Sequence, residues 1–575
     1  MTQKRPSLQS MMERALQHHR NGMFSEAGQI YRRVLAIDPR NSDALHLLGM
    51  IAYQAGDLET AADLIRQAIA IHGNGAAYYT NLATILQAQG KLEEAESMYR
   101  HALTLKPHLA SIHVNLGNVL QARSDFDASV QCYEQALALE PDNAEAFNNL
   151  GNARQGEGNL DAAVSCYERA LAIRPNYPEA LCNLGNASWV EGRLDEAIEL
   201  YQRALTLKPD YAEGSYGLGN VRRAQGDSTE ALRQYRNALR IRPEYAQAGF
   251  AEALAQLLQG DFAAGWQNFE RRWQTTDHDT PRRFYAQPAW DGEKLTSGSV
   301  LVWGEQGVGD EVMFAGLIPE VIRTGNRCVL GCDRRLNGLF ARSFPGVAVI
   351  SGCGPGSHPE LEIAAQLPSG SLPGLFRRSA ADFAQTTSPF LIADSAARER
   401  FRSRYSDGRR LVGLAWYSNN RRTGRARSID LASLAPLFAS VAIQWISLQY
   451  GDHDALQTQA AAAAAPIFID RAVNQLSDID VFAAQIAAMD LVITIDNSTA
   501  HLAGALGVPV WVLLPFAPDW RWQLHREDSP WYPTMRLFRQ PAIGNWQSVI
   551  ETVGIALSQK MAEAAADSRQ TRMSS

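Results

Sequence analysis

Cysteine is scarce and scattered in this chain: six residues in 575, with no C-x-x-C pair and no histidine cluster at zinc-ligand spacing. That pattern indicates neither a disulfide framework nor a structural metal. Long apolar runs are missing as well. No segment approaches the roughly 18 apolar residues that a membrane-spanning helix requires, and the opening MTQKRPSLQSMMERALQ has no apolar h-region. A reducing, cytoplasmic protein without a membrane span is therefore expected. Positive charge is not in excess either. The formal net charge is −7, which gives no global reason to expect nucleic acid as a partner. The length nevertheless exceeds what one core can fill and predicts about two to four domains.

What is present first is a repeat. Pro39, Pro107, Pro141, Pro175, Pro209 and Pro243 share one register at a period of 34 residues, with Gly73 in the place of the missing proline. Tyr31, Tyr99, Tyr133, Tyr167, Tyr201 and Tyr235 form a second register, and Ala61, Ala95, Ala163, Ala197 and Ala231 a third. Each unit reads as a helical pair, with a small residue where two helices touch and a proline ending the second. The pattern resembles the tetratricopeptide repeat, in about seven copies. A last, aromatic-rich unit, GDFAAGWQNFERRW, has the composition expected of a terminal repeat docked on another domain.

Within the first helix of each pair, Asn81, Asn115, Asn149 and Asn183 recur at one position. Asn118, Asn152, Asn186 and Asn220 recur three residues further on. Positions i and i+3 share a helical face, so the two series predict a ladder of carboxamides able to grip a peptide backbone without reading its sequence. Protein O-GlcNAc transferases hold acceptor polypeptides on a similar ladder. Asparagine in the triplet Leu-Gly-Asn is also simply common in this repeat.

The second half changes character. After a polar connector, expected to pack through Phe284, Tyr285 and Trp290, Val300 to Trp303 reads as a strand. It enters the glycine-rich turn GEQGVGD, whose Gly307 and Gly309 would allow close approach of a ligand, and a helix from about Glu311 to Thr324. Further strands are expected at Cys328 to Gly331, Val347 to Ile350, Leu411 to Trp416, Gln444 to Gln449 and Ile467 to Ile469. Asp478-Ile479-Asp480 reads first as a helix cap, so no metal site is assigned. Finally, LVITIDNSTAHLAGALGVPVWVLLP reads as strand, turn, helix and strand. Asp496 to His501 would then lie where a helix N-terminus meets a phosphate beyond the carboxyl end of a parallel strand. A well-capped helix with a solvated histidine reads equally well from these residues.

Two motifs carry a family resemblance. GEQGVGDEVMFAGLIPEV resembles the first strand-loop-helix of the ADP-heptose-type glycosyltransferases of the GT-B fold, and DNSTAHLAGALG resembles their donor motif. The whole chain looks like bacterial proteins that join tetratricopeptide repeats to such a domain, some of them implicated in flagellin glycosylation. The fold class implied is an α-solenoid followed by an α/β GT-B transferase of two Rossmann-like lobes. The array would span 1–273, the connector 274–299, the lobes 300–395 and 396–560, and a polar tail 561–575.

The resemblance implies a metal-independent enzyme without a cofactor, a nucleotide-sugar serving as co-substrate. Asp310 would be the catalytic base, although it could simply cap the helix that follows. Gly307, Gly309, Arg427, Asp496, Asn497, Ser498, Thr499 and His501 would bind the donor, with Ser498 and Thr499 on phosphate and His501, if protonated, offsetting leaving-group charge. The loop SNNRRTGRAR containing Arg427 could equally be a solvated basic loop, and Trp520, Arg521 and Trp522 either a stacking platform or a packing core. The acceptor implied is a flagellin-like protein held by the asparagine groove. A lipopolysaccharide-type transferase and a non-enzymatic scaffold are the competing readings.

Overall fold

The computed structural model describes residues 7–275, 280–352, 354, 358–386, 388–420 and 423–574. The chain divides into two compact units, Met1–Gly217 and Leu218–Ser575.

The first unit is built of antiparallel helical pairs, such as Ala110–Ala122 with Phe126–Leu139 and Ala144–Gly156 with Leu160–Ile173. The registers found in the sequence form its core. Ala61, Ala95, Ala163 and Ala197, together with Tyr31, Tyr133, Tyr167 and Tyr201, are fully buried. The rings of Tyr133, Tyr167 and Tyr201 each lie against a glycine of the preceding helix, Gly117, Gly151 and Gly185. A Cβ on Gly151 would fall 2.4 Å from Cε1 of Tyr167. Gly151→Ala is therefore expected to destabilise the unit by about 1–3 kcal/mol through overpacking, against the smaller gain in helix propensity. Thermal unfolding followed by circular dichroism reads the loss, and an unchanged midpoint would argue against this packing.

The second unit begins with the last repeat helices, Ser228–Ile241, Ala246–Gln259 and Phe262–Phe269, and a 3-10 turn at Glu270–Gln274. The first sheet contains β1 (Ser299–Trp303), β2 (Arg327–Cys332), β3 (Ala348–Ser351) and β4 (Ile363–Pro368), all parallel in the order β3-β2-β1-β4. The second contains β5 (Arg410–Ala415), β6 (Ile443–Ser447), β7 (Ile467–Phe468), β8 (Leu491–Ile495), β9 (Val510–Leu514) and β10 (Met535–Arg539). Its order is β10-β9-β8-β5-β6-β7, again all parallel. β1, β8 and β9 are buried along their whole length, as continuous apolar strands covered on both faces must be.

The expected helix from Glu311 to Thr324 is two helices, Val308–Ala315 and Ile318–Arg323. Pro319 lacks an N–H and would clash with the Ala315 carbonyl four residues back, so one helix cannot run through. The terminal repeat docks as its composition suggested. Trp266 is buried, its indole N–H donates to the Arg377 carbonyl at 2.9 Å, and its ring meets Trp520 edge-on at 5.3 Å. Of the connector aromatics, Trp290 is buried and Tyr285 lies against Trp303, but Phe284 is 76% exposed. The last helix, Trp546–Ser574, continues through the residues expected as a polar tail. Among the described residues no helix is long and apolar enough to cross a membrane.

Candidate functional site

Parallel sheets bind ligands beyond the carboxyl ends of their strands, most readily where the strand order reverses. In the second sheet that point lies between β5 and β8, and it holds Arg427 and Asp496. The Arg427 guanidinium pairs with the Asp496 carboxylate at 3.1 Å, donates to the Asp496 carbonyl at 3.0 Å and also reaches the Thr423 hydroxyl. The cation expected to bind the donor is thus engaged by the chain's own carboxylate. Arg421 and Arg422 of the same loop lie outside the described residues.

Asn497 caps the helix Ser498–Ala505, its carboxamide oxygen accepting the Thr499 N–H at 3.0 Å and the Thr494 hydroxyl at 3.1 Å. Ser498 is partly exposed, whereas Asp496, Asn497, Thr499 and His501 are buried. Among the described residues the Thr499 hydroxyl and the Asn497 amide nitrogen, both buried, lack a hydrogen-bond partner.

His501 departs furthest from expectation. Its Nδ1 lies 3.1 Å from the Tyr532 hydroxyl and its ring stacks on Trp522. Burial, reinforced by the charge of Arg521, pushes its pKa down to about 3. An imidazole held there is neutral near pH 7, so the condition set for His501 to offset leaving-group charge, that it be protonated, is not met: desolvation and a neighbouring guanidinium both disfavour the cation.

The two motif helices meet. Val308–Ala315 packs on Ser498–Ala505, and a Cβ on Gly309 would lie 3.2 Å from Cδ2 of His501 and 3.4 Å from Cα of Ser498. Gly309 thus serves a helix–helix approach. Gly307 is the N-cap of the first helix, with an ordinary negative φ, and the positive φ of this loop (66°) falls on Gln306. Asp310 sits at the third helical position. One carboxylate oxygen pairs with Arg521 and the other faces the Gly307 N–H at 3.4 Å. Arg521 also donates to Asp519 at 2.6 Å, and although burial opposes its charge, Asp310 and Asp519 together hold it above its ordinary pKa. Arg521 thereby ties the two sheet regions together. Trp520 and Trp522 are buried, so these two rings belong to the packing core.

Where the first sheet reverses, between β1 and β4, the space is already filled. Glu305 accepts from Arg272 of the terminal repeat at 2.8 and 2.9 Å and from the Gly370 N–H at 2.9 Å, and both side chains are fully buried. Beyond β1, β2 and β3 a cleft of about 920 Å³ opens, lined by Gly304, Glu311, Asp333, Arg335 and Ser351 and faced by Ser477 of the second-sheet region. Asp310 is not among its lining residues. Asp478 caps the helix Ile479–Ala487 through the Val481 N–H at 3.0 Å, and Asp480 pairs with Arg342, which gives the D-x-D triplet a structural role.

In the array, the second asparagine series is taken up structurally. Asn118, Asn152, Asn186 and Asn220 accept from the hydroxyls of Tyr133, Tyr167, Tyr201 and Tyr235 at 2.7, 2.8, 2.6 and 2.9 Å. In the first series, Asn149 donates to Asn118 at 3.0 Å, Asn183 to Asn148 at 2.9 Å, and Asn81 meets His46 at 2.7 Å. Asn115 is half-buried on the same register. Most of the amides expected to form the ladder are thus already hydrogen-bonded to other side chains.

Tetratricopeptide-repeat family profiles match residues 18–85, 76–106, 108–176, 148–212 and 219–260. Protein FlbA of Caulobacter vibrioides is 30% identical over 313 residues, 51% of this chain and 52% of that protein, so the match spans about half the length of that relative. Among solved structures, a tetratricopeptide repeat protein from Parabacteroides merdae is 16% identical, covering 43% of this chain and 98% of its own, with a TM-score of 0.39. YrrB, described as a repeat protein with an unusual peptide-binding site, is 26% identical over 34% of this chain and all of its own, with a TM-score of 0.27. Residues 18–260 of this chain carry tetratricopeptide repeats, and a region of two parallel sheets follows them.

Proposed function

We propose that this chain is a metal-independent protein glycosyltransferase of the GT-B kind. It would move a sugar from a nucleotide donor to a serine or threonine of a protein captured by the repeats, with flagellin as the favoured acceptor. The observation that carries this reading is the meeting of the two stretches that resemble the ADP-heptose-type transferases. Far apart in the chain, they pack as helices Val308–Ala315 and Ser498–Ala505, beside a cleft at the carboxyl ends of parallel strands. Tetratricopeptide repeats commonly bind peptide or protein partners, which supports a macromolecular acceptor. Two of the donor-side features fit an anionic ligand only after rearrangement: Arg427 would have to exchange Asp496 for phosphate, and Thr499 would have to become accessible.

Intact-mass analysis of flagellin from a strain with and without this protein tests the reading. A discrete mass increment that disappears on deletion is expected, with lipid-linked glycans unchanged; the reverse pattern would favour a lipopolysaccharide-type transferase. The burial of Asp496, Thr499 and His501 favours a second reading, a scaffold whose transferase site has closed. Calorimetric titration of the full chain with UDP, ADP and CMP separates the two, since a scaffold should bind none of them.

A further inference from the structure

The cleft beyond β1, β2 and β3 contains a carboxylate that the motif comparison did not single out. Glu311 follows Asp310 in the chain, but neighbouring helical positions point about 100° apart. Asp310 therefore faces Arg521 while Glu311 lines the cleft. Its seat depends on Gly304, since a Cβ there would lie 2.5 Å from the Glu311 carboxyl carbon. One oxygen accepts the Asp333 N–H at 2.9 Å, and the other has no hydrogen-bond partner among the described residues. Arg283, which also lines the cleft, acts on this carboxylate through its charge. The second-sheet switch point, with its helix N-terminus and Arg427, lies elsewhere, which leaves this cleft for the other substrate.

We propose that this cleft receives the acceptor hydroxyl and that Glu311 takes its proton. The assignment rests on the glycosyltransferase reading above. In the step, the serine or threonine oxygen bonds to the anomeric carbon of the donor as the bond from that carbon to the nucleotide phosphate breaks. The electron pair leaves with the phosphate, and the hydroxyl proton passes to the Glu311 carboxylate. Burial, opposed by the Asp333 N–H and helped by the Asp333 charge, pushes Glu311 up to about 7, with Arg283 lowering and Asp310 raising it more weakly. A base poised near neutrality is well matched to this task.

The test combines the purified full-length chain, unmodified flagellin from a deletion strain and a small-molecule extract of that strain as donor source, read by intact mass. Glu311→Gln is expected to slow the mass increment at least about 100-fold while binding CMP, UDP and ADP as the wild type does. Glu311→Asp should restore part of the rate with a pH profile displaced from that of the wild type. A smaller loss in Glu311→Gln, or a loss of nucleotide binding along with activity, would overturn the assignment while leaving the glycosyltransferase reading standing. Absence of any increment with the wild-type chain would instead overturn that reading, and this assignment with it.

Discussion

Arg272→Ala is expected to destabilise the second unit by about 3–5 kcal/mol, because it strands a buried carboxylate. Arg272 and Glu305 are fully buried and joined by two hydrogen bonds. The guanidinium also donates to Ser371 at 2.9 Å and lies over the rings of Phe269 and Trp273. Glu305 in turn holds the Gly370 N–H at 2.9 Å. Removing the cation takes from that buried carboxylate the guanidinium that holds it with two hydrogen bonds between β1 and β4. A double variant, Arg272→Met with Glu305→Gln, should recover much of the loss, since replacing both members of a buried pair avoids the unpaired charge. Urea unfolding followed by tryptophan fluorescence measures both. A single-variant loss below about 1 kcal/mol would mean that the pair is not needed to seat the terminal repeat.

The second large effect is a pH dependence in which two groups oppose each other. His501 is held at about 3, against an ordinary value of 6.5. Between those values the unfolded chain binds a proton that the folded chain does not, so stability falls as the pH is lowered through this window. The slope is about 1.4 kcal/mol per pH unit, on the order of 4–5 kcal/mol in all. Glu311 is held at about 7 against an ordinary 4.5. Here the folded chain binds the extra proton, so this contribution is fully present below 4.5 and is lost as the pH rises through 7.

From about 4.5 to 6.5 the two slopes are equal and opposite, and they cancel. Replacing His501 by phenylalanine, which keeps a ring against Trp522, should make the protein gain stability relative to wild type as the pH is lowered. Glu311→Gln should do the opposite, exposing the histidine slope from pH 6.5 downward. Urea midpoints across pH 4 to 8 for the three proteins check both signs. Parallel curves would mean that neither group titrates as its surroundings dictate.

Much of the architecture was legible because it is written in local patterns. The tyrosine, alanine and proline registers mark helices that must pack against their neighbours, and the runs Leu491 to Ile495 and Val510 to Leu514 are strands at those residues. β4 and β10 escaped notice for physical reasons. Ile363–Pro368 contains Gln366 and Pro368, and Met535–Arg539 carries arginines, so neither is a continuous apolar run. The Gln366 side chain accepts from the Trp303 indole at 2.7 Å, a partner that local sequence does not announce. Phe284, apolar but exposed, shows the converse: composition does not say which side chains a fold will cover.

The candidate site was legible as residues and not as an arrangement. Asp310 stood out through the family resemblance, and Asp496 and His501 through helix-start chemistry together with that resemblance. Their partners Arg521, Arg427 and Tyr532 come from distant segments, and nothing local pairs them. Glu311 carried no signal beyond standing next to Asp310. Its character arises from Gly304 and the Asp333 N–H, at the carboxyl ends of β1 and β2.

The amino-acid sequence by itself determined the repeat array and most strands of the second half, because helix period, apolar runs of strand length and turn chemistry act within a few residues. Only the tertiary structure decided which carboxylate faces the cleft, which arginines are already paired and which histidine stays neutral. Charge pairing and desolvation are set by neighbours that the chain brings together only on folding.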